Sequence, residues 1–170
     1  MRSLSCWLLA VGCWLSVFGG QVSAQELKIR DVFRQMPDSL MPYLTQNNRL
    51  DFIDFLDSNM KAEVRNALGG LSEMTTLADD SLSISMSESL KTDLLLLPLA
   101  QPMDSLMQVV AMVETFLVDS IYGESRVSYY TPQWQPLISE PLLAEAEKKR
   151  INFHVMQNIL KKDEEVLNKR

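Results

Sequence analysis

The stretch NRLDFIDFLDSNMKAEVRNALGGLSEMTTL, Asn48 to Leu77, carries helix-start, helix-stop, strand and turn signals one after another. Asn48 with Asp51 three residues on reads as a capping pair: the Asn side chain accepts from an orphan N–H, and the first turn favours negative charge. Leu50, Ile53 and Leu56, flanked by Phe52 and Phe55, form a broad apolar face at helical spacing, with Asp51, Asp54 and Asp57 along one edge of the other side. Ser58-Asn59 interrupts that run. From Met60 the period becomes two: Met60, Ala62, Val64 and Leu68 alternate with Lys61, Glu63, Arg65 and Ala67, and Asn66 is a polar exception on the apolar side. This predicts a half-buried strand. Gly69-Gly70 supplies the positive φ of a tight hairpin, and Leu71 to Leu77 returns as the partner strand.

NRLDFIDFLDSNM, running into the Gly-Gly pair and SEMTTL, resembles the domain-of-unknown-function 3256 family of small exported Bacteroidales proteins, with the likeness running from Ile29 to the C-terminus. The resemblance implies a compartment and a rough fold, but no activity and no catalytic residue. Members of that family continue further, so it also implies a chain lacking a final strand, with a neighbouring sheet edge left open to pairing.

Residues 1–24 have the pattern of an export signal: Arg2, an apolar run from Leu4 to Phe18, and small residues at Val22 and Ala24. The run is short for a bilayer span of about 20 residues, which disfavours a membrane anchor. Ala10-Val11-Gly12-Cys13 is a poor lipobox, so a lipoprotein is the lesser reading. Cys6 and Cys13 both lie in this segment, leaving residues 25–170 without cysteine and reliant on a packed core rather than disulfides. One domain is expected there. The formal charge is −6 for the whole chain and, with Arg2 removed, more negative still. That balance disfavours nucleic acid and anionic membranes as partners. Lys148-Lys149-Arg150 and Lys161-Lys162 are mixed with acids and read as solvated surface.

Leu27 to Met36 predicts a short amphipathic helix stopped by Pro37, and Asp38-Ser39 caps a second through Leu44. After the Asp79-Asp80 turn, Leu82, Ile84, Met86 and Leu90 alternate with serines, as a strand with one exposed face does. Leu94 to Leu97 reads as a short buried strand ended by Pro98, and Ala100 to Ser105 as a loop. Leu106 to Val118 is apolar on both alternating faces, the signature of a strand covered on both sides. Asp119-Ser120 marks a turn, Ser125 to Tyr130 a strand, and Thr131 to Trp134 a β-turn with Pro132 second. Ser139-Glu140-Pro141 starts a helix over Leu142 to Lys148. Arg150 to Leu160 fits both periods; the alternation of Ile151, Phe153, Val155 and Ile159, together with the family resemblance, favours a strand. A turn over Lys161 to Glu165 then leaves Val166-Leu167 opening a further strand.

Chemistry-bearing groups are few. Ser-His-acid catalysis would have to use His154, the sole histidine, and no Gly-x-Ser-x-Gly elbow is present. Zinc needs several His or Cys ligands. Asp51, Asp54 and Asp57 are the best carboxylate cluster for a hard cation, yet no calcium-loop motif accompanies them, and a wet helix face explains them as well. Gly69-Gly70 lacks the Lys and hydroxyl residue of a phosphate loop. Tyr129, Tyr130 and Trp134 form the one aromatic group suited to a binding patch, the competing reading being core packing.

The expectation is therefore an α+β fold, with short N-terminal helices packed on a mostly antiparallel meander sheet of about six strands. The functional expectation is an exported, non-enzymatic module of the periplasm or cell envelope that binds a protein or envelope component through its open sheet face or edge, with no cofactor and no metal. The alternative is a hydrolase using Asp51 or Asp54 with His154.

Overall fold

The computed structural model describes residues 27–103, 106–118 and 121–168; the export signal and the turn positions Asp104 and Asp119-Ser120 lie outside the described residues. Six strands form one antiparallel meander in chain order: β1 (Glu63–Arg65), β2 (Leu71–Leu77), β3 (Ser81–Ser87), β4 (Leu90–Met103), β5 (Leu106–Val118) and β6 (Ile121–Tyr130). Helices α1 (Ile29–Arg34) and α2 (Gln46–Asp57) precede the sheet, and α3 (Glu145–Asn168) follows it. The α+β meander is the architecture that the sequence predicts.

Two cores lie on opposite faces of the sheet. Leu94 and Leu96 of β4, with Val110 and Met112 of β5, join Leu82, Ile84, Met74 and the residues of α1 and α2 on the first face. Leu95 and Leu97, with Val109, Ala111 and Val113, join Leu143 and Ile151 on the second. Successive side chains of a strand point to opposite faces. A run such as Leu94 to Leu97 is therefore apolar throughout only where both faces are covered.

Arg49 organises the first-face layer. It is 1% exposed, on the same side of α2 as Phe52 and Ile53. Its guanidinium donates to Leu44 C=O at 2.8 Å and to Met36 C=O, and Nη2 lies 2.8 Å from Asp38 Oδ1. One side chain thus holds the link between α1 and α2, where no regular element satisfies those carbonyls. The helix cap is Thr45, not Asn48: Thr45 Oγ1 accepts from Asn48 N–H, and the Asn48 side chain accepts from Thr45 N–H. Asn48 is the third residue of the helix, answering the cap rather than forming it. The second short helix is only a 3-10 turn, Asp38–Leu40.

The strand predicted from Met60 contracts to Glu63–Arg65 because Asn66 leaves the ladder to build the turn. Its Nδ2 donates to Ser72 Oγ and Met86 C=O, and its Oδ1 accepts from Leu68 and Gly70 N–H. Gly69, at φ +82°, takes the left-handed position. The serine run divides at Glu88-Ser89, so Leu90 opens β4.

β4 continues through Pro98 and Pro102 to Met103, where a stop and a loop were expected. β3 ends opposite Leu95, and beyond it Leu96 N–H donates to Asp80 C=O and Ala100 N–H to Leu142 C=O, away from β5. Pro98 lies between these two in the same phase, so its missing N–H falls on the side where β3 has stopped.

Arg150 to Leu160 is helical, as part of α3, and Val166-Leu167 lies in the same helix. Ile151 and Val155, one turn apart, pack on the second core, while Phe153 is 58% exposed. The burial period is therefore that of a helix. The predicted Leu142 to Lys148 helix begins only at Glu145, because Leu143 is held in a bridge to Leu99. Arg150 ties α3 to Asp80 at 2.7 Å and pairs with Glu147 of its own helix at 2.8 Å.

Replacing Arg49 with Leu should lower unfolding stability by about 3 kcal/mol, because Met36 and Leu44 carbonyls lose their donor in a buried setting. Asp38→Asn, whose side chain is 63% exposed, should cost less than about 1 kcal/mol. Urea denaturation of both variants measures the difference; equal losses would contradict the role given to the buried guanidinium.

Candidate functional site

The carboxylates of α2 do not converge. Asp51 and Asp54 are exposed, and Asp57 is held by Arg30, with Nη2 to Oδ1 at 2.9 Å and Nη1 to Oδ2 at 3.2 Å. That pair staples α1 to α2. Among the described residues, no three His, Cys, Asp or Glu side chains gather closely enough to hold a metal ion.

His154 lies on α3, against the second face of the sheet, and its Nδ1 is 3.7 Å from Asp93 Oδ1 of β4. Asp93 also accepts from Ser83 Oγ. Asp51 and Asp54 belong to a helix packed on the other face, so the pairing of either with His154 is not formed. The sheet lies between the proposed acid and base, which rules out direct proton transfer between them.

The aromatic group divides as well. Trp134 is buried on the first face and donates from Nε1 to Val32 C=O at 2.8 Å. It adopts a positive φ of 64°, a strained conformation for a bulky residue, at the end of a turn closed by Trp134 N–H to Thr131 C=O at 2.9 Å. Tyr130 packs on the same side, with its ring 5.7 Å from the indole. Tyr129 points the other way and packs against the second core.

Tyr129 and Tyr130 do help to form a groove. The chain leaves the Thr131 turn and runs back along β6: Thr131 N–H donates to Gln135 C=O and Leu137 N–H to Tyr129 C=O, both at 2.9 Å. It then passes Ile138, Ser139 and Glu140 and reaches the bridge between Leu143 and Leu99 before α3 begins. Between β6, this segment and the first turns of α3 lies a groove of about 690 Å³, with Val127, Tyr129, Leu137 and Ile151 among its apolar lining and Glu140, Lys148 and Asn152 among its polar lining. Ile138 is fully exposed beside it. Burial, and secondarily the charge of Glu140, raises the Tyr129 phenol above its ordinary value of 10.0.

Sequence reading reached Tyr129 and Tyr130 but missed Ile138, Glu140, Lys148 and Asn152. The one signal for that wall is a lone Ile between Pro136 and Pro141, which could equally be an ordinary connection. No described helix is long and apolar enough to cross a membrane.

Comparison with solved structures finds a likeness to a domain of an uncharacterized protein from Porphyromonas gingivalis W83, at 24% identity and a TM-score of 0.53. The match covers 65% of this chain and 54% of that one, so the chain spans about half the length of that neighbour. At that identity the likeness is one of fold. Curated proteins gave no match. Residues 20–169 match the family described as "Protein of unknown function (DUF3256)", and over that length the chain belongs to this family.

Proposed function

We propose that this protein is exported to the periplasm or cell envelope and works there as a non-enzymatic binding module, with the groove beside β6 holding part of a protein or envelope component. The groove carries this reading. Its volume falls within the range of ligand sites, and its lining combines apolar bodies with a few polar tips, the usual composition of a recognition surface. Export is supported by the basic, apolar and small-residue sequence of residues 1–24, and the excess of acidic residues disfavours nucleic acid.

Tyr129 is the polar anchor in this account. With its pKa raised by burial and Glu140, the hydroxyl remains a protonated donor throughout the neutral range. The stability this phenol contributes is fully present below its unfolded pKa, near 10, and is lost as pH rises through the folded value. Ultraviolet titration should show a tyrosine ionising above the ordinary value, absent in Tyr129→Phe and shifted back towards that value in Glu140→Gln. All tyrosines ionising together near 10 would contradict it.

Ile138→Asp should reduce retention of the bound component from envelope extract by about tenfold with an unchanged melting temperature, as expected for an exposed apolar contact that only the bound component would cover. Leu68→Asp, in the exposed β1–β2 turn, should retain it fully. Nothing enriched over a control, or equal retention by both variants, would reject the groove as the binding element.

A further inference from the structure

β6 is the last strand of the meander, and its outer side is satisfied at one end. Tyr129 C=O accepts from Leu137 N–H, so residues in phase with Tyr129 turn their backbone groups away from β5. The register with β5 is unbroken from Glu124 to Tyr130. By the alternation of an antiparallel ladder, Val127 and Ser125 therefore also present N–H and C=O outward. No other described element pairs with them. Monomeric proteins guard such edges with lysine, proline or inward charge; the stretch Ile121 to Tyr130 has neither Lys nor Pro. Its one cation, Arg126, donates to Glu114 Oε2 from Nε at 3.0 Å and from Nη2 at 2.6 Å.

We propose that this edge pairs with the same edge of a second copy, antiparallel about a two-fold axis through Ser125, joining two sheets into one. The charges select this register. An axis through Arg126 would set Arg126 against itself, and one through Glu124 would set Glu124 against itself; like charges directly opposite are unfavourable. An axis through Val127 would require Tyr129 C=O, already taken by Leu137. With the axis at Ser125, Glu124 faces Arg126 of the second copy on both sides of the symmetry element. Each arginine then lies between Glu114 of its own chain and Glu124 of the other.

The limits of the pairing agree with this choice. Val127 falls opposite Gly123, which has no side chain to obstruct it. Gly123 also sits at the register shift between Phe116 and Leu117, where the regular edge ends. A symmetric interface needs a self-complementary patch, and Gly123 to Val127 is one. The dimer does not rest on the groove reading: Val127 belongs to both the groove lining and the paired edge, but Glu124, which selects the register, does not line the groove, so Glu124→Arg tests the dimer alone.

Sedimentation equilibrium of the purified protein should show a monomer–dimer equilibrium below about 1 mM. Glu124→Arg, at an exposed position, should weaken it by at least about tenfold while leaving melting unchanged. Arg126→Glu should weaken the dimer as well, with some loss of melting temperature because Glu114 loses its partner within the chain, and a mixture of the two variants should form a heterodimer, since each then meets the opposite charge. Ser125→Pro, which removes an outward N–H and no backbone bond to β5, though it also removes the Ser125 hydroxyl's bond to Thr115 Oγ1, should also give monomer. A monomer throughout the range, or a dimer unaffected by Glu124→Arg and Ser125→Pro, would overturn the proposal.

Discussion

The rest of the fold follows from the burial of β4 and β5 on both faces. These are the two longest strands, paired from Leu90 with Phe116 to Pro98 with Gln108, and Leu94 to Leu97 and Val109 to Val113 are buried without interruption. A pair of strands apolar on both sides cannot stand in water; each face must find a cover. The N-terminal helices supply one cover and α3 the other. The chain therefore makes its meander first and returns, through the segment from Thr131 to Leu143, to close the second face.

Each cover is fixed by a small number of polar ties rather than by more apolar surface. On the first face these are the Arg49 guanidinium, the Arg30–Asp57 pair and the indole N–H of Trp134, which joins the turn after β6 to α1. On the second, Arg150 reaches Asp80 and His154 lies near Asp93. Short helices have little stability of their own, so their positions depend on tertiary contacts. Arg49 illustrates the distinction between a buried charge and a stabilising one. It is retained where irregular carbonyls need a donor, and removing it would expose that need.

Much of this was legible in the sequence. The two-sided apolarity of Leu106 to Val118 identified a central strand, the serine alternation identified a half-exposed one, and Gly69-Gly70 identified the hairpin. What failed did so where tertiary neighbours, rather than local pattern, decided the outcome. Pro98 suggests a stop because a proline removes an N–H, but the cost vanishes where the neighbouring strand has already ended, a fact set by the length of β3. Ile151, Phe153 and Val155 satisfy both periods, and only the exposure of Phe153 decides between them. Arg49 is readable in retrospect, three and four residues before Phe52 and Ile53 on one helical face. The groove was the least legible part. Its walls come from β6, an irregular segment and α3, and no local pattern encodes their meeting.

Native-state hydrogen exchange tests the central claim most directly, because it ranks regions by the free energy needed to open them. The account predicts that the amides of Leu94 to Leu97 and Val109 to Val113 that bond across β4 and β5 exchange only through global unfolding, while β1 and the amides of α2 and α3 exchange through smaller openings. Protection concentrated in the helices or in β1 and β2, with the β4–β5 ladder opening first, would contradict it.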